Sequence, residues 1–352
     1  MEPRARRAIV GAGMWGTTLA VHLARSGPVL LLTRDEDHAR QIAQERQNAR
    51  HLPGIPLPAE IEIEHRAEAL AAADELVIFA TTAAGMRAAA GRLADHVHPD
   101  ALLVSVAKGI ERATLLRMTQ VLCEVVPDAE RRVAAMSGPN LALEIARGLP
   151  ASAVVGSVDE QVGGAVVGMV ASRSFRLYRN RDVVGVELCG ALKNIVAIAA
   201  GAAEQLGFGD NGKAGLITRG LAEMTRLGVA AGANPLTFAG LAGLGDVVAT
   251  CSSPLSRNHR LGVELARGRR WSEIEGTLPG VAEGAYTVIA ALEMASRLGV
   301  EMPIAEEVHA AIFEGKSVQR CLIDLLSREQ KDELAGLEDW ARRAFEDRPA
   351  AG

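Results

Sequence analysis

The sequence predicts an α/β protein in which an N-terminal doubly wound, mostly parallel sheet is followed by an all-helical C-terminal domain. Three observations lead to this prediction. Short apolar runs of β type alternate with alanine-rich helical stretches up to about residue 180. A Gly-x-Gly-x-x-Gly motif spans Gly11–Gly16, at the first turn from strand to helix. After Asp182 the β-type runs disappear, and helical segments punctuated by glycine take over.

Seven runs are expected to form the strands: Ala8–Val10, Val29–Thr33, Leu76–Thr81, Leu102–Val106, Val133–Met136, Ala153–Val155 and Phe175–Tyr178. Six helices are expected between them: Thr17–Ser26, Asp35–Arg46, Ala84–His96, Leu115–Val125, Leu141–Arg147 and Glu160–Ala171. Because parallel neighbours need a crossover connection, this alternation is typical of β-α-β units. The sheet domain is predicted to span residues 1–182.

The second domain is predicted to span residues 183–345 and to contain only helices. The expected helices are Val186–Leu206, Gly215–Ala231, Asn258–Arg267, Ala285–Leu298, Ala305–Glu314 and Ser317–Leu326. Residues 346–352 are expected to form a polar tail.

Composition excludes several classes of protein and partner. The chain has 352 residues, of which 49% are hydrophobic, and a net charge of −5, so a disordered chain is excluded. It has no basic stripe with interleaved aromatic residues, which argues against nucleic acid as a partner. The four cysteines include no Cys-x-x-Cys pair, which fits a reducing cytoplasm. No metal site is predicted, since His96 and His98 have no second ligand cluster in the sequence.

The N-terminus could be interpreted as a secretory signal, because Arg4, Arg6 and Arg7 precede an apolar stretch. The glycines within that stretch, and His22 and Arg25 directly after it, argue against this interpretation. The other apolar runs are about half as long as the roughly 20 residues that span a bilayer. We therefore expect a cytoplasmic protein without membrane insertion.

The glycine motif has the context of a dinucleotide-binding turn, because it follows a predicted strand and opens a helix. Gly11 would make the tight turn, Gly13 would let the backbone approach a pyrophosphate, and Gly16 would allow helix and strand to pack closely. A glycine-rich turn without a ligand is the alternative. We favour a Rossmann-like domain that binds NADP(H) or NAD(H).

The end of the second predicted strand bears on the choice between these two cofactors. NAD-selective proteins have an acidic residue there that holds the ribose hydroxyls. This chain has Arg34, whose guanidinium can pair with a 2′-phosphate, so NADP is favoured. Asp35 is the alternative ribose ligand, although it also has the position of an N-cap for the next helix.

Ligands of doubly wound sheets lie at the carboxyl ends of the strands, so residues directly after the apolar runs are candidates. Lys108 follows the Leu102–Val106 run, and Ser137–Asn140 follows Val133–Met136. An ordinary surface lysine is the alternative interpretation of Lys108.

The helical half contains a lysine in an unusual setting. Lys193 is the only charged residue in the apolar stretch from Leu188 to Ala203. Burying a lysine costs free energy unless it is paired, and buried lysines are suited to proton transfer. We therefore favour a functional Lys193 over a side chain that extends from a helix edge to solvent.

Two later motifs could supply partners for this lysine and for a substrate. Asp246 lies between glycines and an apolar run and is a candidate counter-ion. Ser256, Arg257 and Asn258 place a hydroxyl, a guanidinium and an amide at a predicted helix start, which suits a phosphate. Taken alone, each motif could also be an N-cap or a turn.

Taken in chain order, these motifs resemble the bacterial-type NAD(P)-dependent sn-glycerol-3-phosphate dehydrogenases over almost the whole chain. The matching elements are Gly11–Gly16, Asn48, Leu52–Gly54, Ala107–Glu111, Ser137–Pro139, Val186–Asn194, Leu216–Met224, Gly243–Asp246, Thr250–Cys251, Ser256–Asn258 and Glu283–Gly284. The resemblance implies reversible hydride transfer between NAD(P)H and dihydroxyacetone phosphate to give sn-glycerol 3-phosphate for phospholipid synthesis. It implies a small phosphorylated substrate and no metal. The helical half, rich in alanine and glycine, is compatible with a homodimer.

The resemblance also implies roles for individual residues. Lys193 would donate and accept the proton at the C2 oxygen, and Asp246 would orient it. The substrate would be contacted by these two residues and by Lys108, Gly138, Asn140, Ser256, Arg257 and Asn258. The cofactor would be lined by Gly11, Gly13, Met14, Trp15, Gly16, Arg34, His51, Lys108, Ala142, Arg257, Val281 and Glu283.

The chain departs from the family's usual pattern at three places. Asn140 stands where the family has Ser or Thr, His51 where it has an aromatic residue, and Ala80–Ala83 where it has Val-Pro-Ser. Two other functions are alternatives: a dehydrogenase of 3-hydroxy acids or ketopantoate-like substrates, and a non-catalytic NADP(H) sensor. The Ser256–Asn258 motif argues against a carboxylate substrate, and a proton-transferring Lys193 argues against a sensor.

Overall fold

The computed structural model describes residues 5–278, 280–329 and 332–333 of the chain. The expected polar tail at 346–352 and the expected domain end at 345 lie outside the described residues. The expected boundary at 182 falls between the last strand and the first long helix of the second half.

The strands form one eight-stranded sheet. The sequence pattern predicts such a sheet but only seven of its strands. They are β1 (Arg7–Val10), β2 (Val29–Leu32), β3 (Ile61–Glu64), β4 (Leu76–Phe79), β5 (Leu102–Ser105), β6 (Val133–Ser137), β7 (Ala151–Gly156) and β8 (Phe175–Asn180). Their order in the sheet is β3-β2-β1-β4-β5-β6-β7-β8. All neighbours pair in parallel except β6 and β7, which are antiparallel. The prediction of a doubly wound, mostly parallel sheet is therefore confirmed.

The strand β3 is missing from the sequence prediction for a physical reason. Its residues alternate Ile-Glu-Ile-Glu, and only Ile61 is buried. The strand lies at the edge of the sheet beside β2, so it needs no continuous apolar run. By contrast, β1, β2 and β4 are buried along their whole length, as expected for strands covered on both faces.

The helices of the sheet half are α1 (Met14–Ala24), α2 (Glu36–Glu45), α3 (Ala83–Leu93), α4 (Met118–Val125), α5 (Ala142–Ala146) and α6 (Glu160–Val170). The predicted helix Leu115–Val125 begins only at Met118. Leu115 adopts a left-handed φ of 61°, and Ile110 pairs with Arg117 in an isolated β-bridge, so the preceding residues form a turn.

The second half is helical throughout its described residues. Its helices are α7 (Val183–Gln205), α8 (Gly209–Ala230), α9 (Pro235–Phe238), α10 (Asp246–Ser252), α11 (Arg257–Ala266), α12 (Trp271–Ile274), α13 (Gly284–Leu298), α14 (Pro303–Phe313) and α15 (Val318–Leu326). The sequence prediction missed α9, α10 and α12. They have four, seven and four residues, too few for a helical period to be visible.

Helix α7 is the centre of the second core. It packs so closely against α11 that a Cβ at Gly201 would lie 2.0 Å from the His259 carbonyl oxygen. On the other side of the same contact, a Cβ at Gly262 would lie 1.9 Å from the Ile198 carbonyl oxygen. Only glycine at these two positions permits the backbones to touch.

Within the described part of the chain, two segments are long and apolar enough to cross a bilayer: α7 and Pro235–Ser252. In α7, 89% of the most apolar window is buried inside the protein, which is typical of the core helix of a soluble protein. The second segment consists of α9, a π-helical turn at Leu241–Gly245 and α10. Lys193 and Asn194 interrupt the apolar sequence of α7 without ending the helix, which continues to Gln205.

Candidate active site

The turn after β1 has the shape of a phosphate-binding turn. Gly11 has a left-handed φ of 110°, and a Cβ there would lie 2.7 Å from the Ala80 carbonyl oxygen. A Cβ at Gly16 would lie 1.9 Å from the Gly11 carbonyl oxygen, so α1 packs directly on the turn. At Gly13, the N-cap of α1, nothing apart from the adjoining residues of the chain lies within 4 Å of a Cβ position. This open space at a helix N-terminus fits the pyrophosphate of a dinucleotide.

A buried asparagine ties a second loop to this turn. Asn48 Nδ2 donates to the Ala12 carbonyl oxygen at 2.8 Å and to Thr17 Oγ1 at 2.8 Å. Its Oδ1 accepts from the His51 amide at 3.3 Å and lies 3.2 Å from His38 Nε2. Asn48 therefore holds the loop of His51 and the start of α2 against the glycine turn.

At the carboxyl end of β2, the two candidate ribose residues differ in their contacts. Asp35 Oδ1 accepts from the His38 amide at 3.0 Å and caps α2. This hydrogen bond lowers the pKa of Asp35 below its ordinary value. The N-cap interpretation of Asp35 is therefore correct, and Arg34 is exposed directly beside it.

The centre of the site is a carboxylate shared by two lysines. Lys193 Nζ donates to Asp246 Oδ1 at 2.8 Å and to Thr250 Oγ1 at 2.5 Å. Asp246 Oδ2 accepts from Lys108 Nζ at 2.5 Å, and Lys108 also donates to the Gly138 carbonyl oxygen at 2.8 Å. Lys193 is 6% exposed and Asp246 1% exposed, so both are almost completely buried. The Lys108 side chain is 16% exposed, which rules out an ordinary surface lysine.

Burial and charge act against each other in this cluster. Burial by itself raises the pKa of the Asp246 carboxyl, but the charges of Lys108 and Lys193 outweigh it and hold that pKa below its ordinary value. Burial lowers the pKa of Lys108 to about 8, with Asp246 opposing the effect and Lys193 adding to it. At neutral pH the site therefore holds an ionised carboxylate beside a Lys108 that loses its charge in mildly alkaline solution.

Side-chain amides connect the lysine cluster to the later helices. Asn194 Nδ2 donates to the Lys108 carbonyl oxygen at 3.4 Å, and its Oδ1 accepts from Asn258 Nδ2 at 2.8 Å. Asn258 Oδ1 in turn accepts from the Gly284 amide at 3.0 Å. These hydrogen bonds fix the positions of α7, α11, α13 and the loop after β5 relative to one another.

The N-terminus of α11 carries the predicted phosphate motif. Ser256 Oγ accepts from the His259 amide at 3.2 Å and caps the helix, so the N-cap interpretation is correct for this serine. The Arg257 guanidinium lies against the loop before α13, where a Cβ at Gly280 would be 2.5 Å from Nη1. The cationic side chain and the helix N-terminus together favour an anion here.

Glu283 connects the two halves of the chain. Its Oε1 accepts from the amide of Ala83 at the start of α3, at 3.3 Å. Burial raises the pKa of Glu283, although the charge of Arg257 opposes it. The loop before α13 is thereby held over the carboxyl end of β4.

Asn140 has unused hydrogen-bonding capacity. Both polar atoms of its side chain are buried and have no hydrogen-bond partner among the described residues. Trp15 Nε1 is likewise buried and has no hydrogen-bond partner among the described residues. Because an unsatisfied buried amide costs roughly 1–3 kcal/mol, these side chains are suited to receive a polar ligand.

Three other candidates contribute surface or backbone rather than charge. Met14 and Val281 are 41% and 44% exposed, so both present apolar surface to solvent. The carbonyl oxygen of Ala142 accepts from Thr18 Oγ1 at 3.2 Å, which places the start of α5 against α1.

Thr250 and Asn194 have no individual role in the sequence prediction, but the structure places both beside the lysines. Signals for both exist: Thr250 follows Asp246 by four residues on one helix face, and Asn194 adjoins Lys193. The contact of Lys108 with Asp246 has no local signal, since 138 residues separate them. Within the described part of the chain, no group of three His, Cys, Asp or Glu side chains is placed to hold a metal ion.

Comparison with protein families gives two matches that together span both halves. The family model described as NAD-dependent glycerol-3-phosphate dehydrogenase N-terminus matches residues 7–163. The corresponding C-terminus model matches residues 182–323.

Individual relatives match over nearly their whole length. A protein of Syntrophotalea carbinolica named glycerol-3-phosphate dehydrogenase (NAD(P)+) is 42% identical over 93% of this chain and 98% of its own. The protein of that name from Streptomyces griseus subsp. griseus is 46% identical over 93% of this chain and 98% of its own. The crystal structure of glycerol-3-phosphate dehydrogenase from Coxiella burnetii has a TM-score of 0.87 at 33% identity, covering 92% of this chain and 99% of that one.

Proposed function

The chain belongs to the NAD-dependent glycerol-3-phosphate dehydrogenase family, and on that premise we propose how its residues interconvert dihydroxyacetone phosphate and sn-glycerol 3-phosphate with NAD(P)H. The observation that carries the proposal is the buried bond between Lys193 and Asp246 beside Lys108. It lies where the carboxyl ends of the strands meet the first long helix, which is where doubly wound sheets bind ligands.

The glycine turn and its neighbours hold the cofactor. Gly11, Gly13 and Gly16 receive the pyrophosphate at the N-terminus of α1, and Asn48 keeps the adjoining loop in place. When bound, the nicotinamide supplies the hydride that adds to C2 of the ketone. The protein therefore has to supply orientation, one proton and complementary charge.

Lys193 supplies the proton. Reduction leaves negative charge on the C2 oxygen, and the Lys193 ammonium donates a proton to it and becomes an amine that is reprotonated from water. In the oxidative direction the amine accepts the proton of the C2 hydroxyl. Asp246 and Thr250 fix the direction of Nζ, so the proton is delivered from one position.

The substrate phosphate is bound at the start of α11. Arg257 provides a guanidinium and Asn258 an amide whose position is set by Asn194. Lys108 adds positive charge next to the reacting carbonyl, and the free amide of Asn140 binds a substrate hydroxyl. A phosphorylated substrate thus meets cationic groups at both ends.

The cofactor preference follows from the end of β2. Arg34 is exposed there, while the carboxylate of Asp35 caps α2. The enzyme uses NADPH at least as well as NADH, because a guanidinium pairs with the 2′-phosphate.

The physiological role is the supply of glycerol 3-phosphate for phospholipid synthesis in the cytoplasm, in accordance with the family activity. The close packing of small residues in the helical half is compatible with a homodimer.

The activity is tested by following the absorbance of NADPH with a panel of ketones. We expect rapid oxidation with dihydroxyacetone phosphate. Dihydroxyacetone, the matched control without phosphate, should lose about 10²-fold or more in kcat/KM, because Arg257 and Asn258 then have no anion to bind.

Two results would contradict this function. Faster reduction of ketopantoate or a 3-oxo acid than of dihydroxyacetone phosphate would indicate a carboxylate-specific dehydrogenase. Tight NADPH binding without oxidation by any ketone would indicate a sensor.

A further inference from the structure

Two exposed arginines project from neighbouring loops at the ribose side of the proposed cofactor site. Arg34 lies directly after β2, and Arg50 lies in the loop after α2. Both residues are exposed, and in the described ranges neither has a carboxylate within ion-pair distance. The resemblance and the site geometry assign a role to Arg34 but none to Arg50.

A chain of buried polar contacts holds the two loops side by side. The His38 amide donates to Asp35, and His38 Nε2 lies 3.2 Å from Asn48 Oδ1. The same Asn48 oxygen accepts from the His51 amide, and the rings of His38 and His51 pack edge to face at 5.5 Å. Asn48 also bonds the glycine turn, so both loops have a set position relative to the pyrophosphate site.

The charge of Arg50 acts on the residue that follows Arg34 in the chain. It contributes to lowering the pKa of Asp35, after the larger effect of the His38 amide. It also contributes to lowering the pKa of His51, for which burial is the main cause. Arg50 is therefore close to the residue that follows Arg34 and to a predicted cofactor residue.

The acidic side chains at the start of α2 already have partners of their own. Glu36 and Asp37 both pair with Arg40, at 3.0 and 2.8 Å. Asp35, the third carboxylate of this group, accepts from the His38 amide as the N-cap of α2. Asp35–Asp37 and the three arginines are equal in number, but in the described ranges Arg40 is the only one of these arginines that forms an ion pair with the carboxylates. Arg34 and Arg50 are therefore available to a 2′-phosphate.

We propose that Arg50 and Arg34 together bind the 2′-phosphate of NADP(H), which makes Arg50 a second specificity-determining residue for the cofactor. The inference rests on the proposed use of NADPH. A phosphate dianion presents three terminal oxygens, and one guanidinium group can bind only two of them in a bidentate contact. A second arginine, from the neighbouring loop, can bind the third oxygen.

The test measures binding of 2′,5′-ADP, which carries the 2′-phosphate, and of 5′-AMP, which lacks it, by calorimetry at fixed ionic strength. The variants are Arg50→Ala and Arg34→Ala, with Arg40→Ala as the matched control because its guanidinium is already paired on α2. Arg50→Ala should weaken 2′,5′-ADP about tenfold and leave 5′-AMP within about twofold. The ratio of kcat/KM for NADPH to that for NADH should fall by the same factor.

The outcomes separate this inference from the cofactor preference itself. Suppose that Arg34→Ala binds 2′,5′-ADP more weakly than wild type, whereas Arg50→Ala binds it equally well. Arg50 then has no role in binding the 2′-phosphate, but the proposed preference for NADPH remains valid. Equal weakening of both nucleotides in Arg50→Ala would also overturn the inference. If wild type binds the two nucleotides equally, both the preference and the inference fail.

Discussion

At the scale of single residues, the site depends on one carboxylate with two cationic partners. Asp246 is almost fully buried, and each of its oxygens accepts from a different lysine. Removing one member of such a cluster leaves a buried charge without its partner, which costs about 3–5 kcal/mol. Asp246 therefore stabilises the charged forms of Lys108 and Lys193, and the two lysines stabilise its carboxylate.

The lowered pKa of Lys108 predicts an alkaline limit to activity. Because burial brings that pKa to about 8, the ammonium loses its proton above this pH, and kcat/KM for dihydroxyacetone phosphate should fall as pH rises through it. Lys108→Arg keeps its charge and should show no decline in this range, although at lower absolute activity.

The pH profiles of wild type, Lys108→Arg and the remote control Lys316→Arg check this limit. Lys316 pairs with Glu307 and Asp324 in the last helices, so its variant should keep the wild-type profile. A wild-type kcat/KM that stays constant to about pH 10, near the ordinary pKa of lysine, would show that Lys108 does not titrate as proposed.

At the scale of secondary-structure elements, the sequence predicts those strands and helices whose residues show a clear local pattern. The strands β1, β2 and β4 are recognisable because burial on both faces requires continuous apolar runs. The edge strand β3 and the short helices α9, α10 and α12 lack such a pattern.

The same distinction applies to the candidate site. The glycine turn is a local motif, and Lys193 is conspicuous as a lone charge in an apolar helix. The contact between Lys108 and Asp246 depends on how α10 packs against the sheet, and the role of Asn48 depends on where α2 ends. Such contacts between distant segments have no periodicity that a single sequence reveals.

The contact of α7 with α11 predicts the effect of one added methyl group. Gly262→Ala would place a Cβ 1.9 Å from the Ile198 carbonyl oxygen, so the helices must separate. We expect the free energy of unfolding to fall by about 1–3 kcal/mol. KM for dihydroxyacetone phosphate should rise, because Asn258 on α11 moves away from Asn194.

Gly215→Ala is the matched control for this variant. Gly215 lies inside α8, and apart from the neighbouring backbone of its own helix nothing is within 4 Å of its Cβ position. Alanine there should be neutral or stabilise by up to about 1 kcal/mol. Thermal unfolding and steady-state kinetics of both variants check the prediction. Equal stability of Gly262→Ala and wild type would contradict the close contact of α7 and α11.

At the scale of the whole molecule, the two halves contribute different parts of the chemistry. The sheet half carries the cofactor turn and Lys108, and the helical half carries Lys193 and Asp246. The Glu283 carboxylate on the Ala83 amide and the Lys108–Asp246 pair both cross between the halves. Cofactor binding and proton transfer should therefore be separable by mutation.

The most direct test of this account is hydride transfer measured in a single turnover with Lys193→Ala, together with the dissociation constant for NADPH. The account predicts a loss of roughly 10²–10⁴ in the rate of NADPH oxidation by dihydroxyacetone phosphate, with NADPH affinity close to wild type. Lys193→Arg, which keeps the charge beside Asp246 but does not release a proton, should lose activity to a similar extent. Retention of more than about a tenth of the wild-type rate in Lys193→Ala would contradict the role of this lysine in proton transfer.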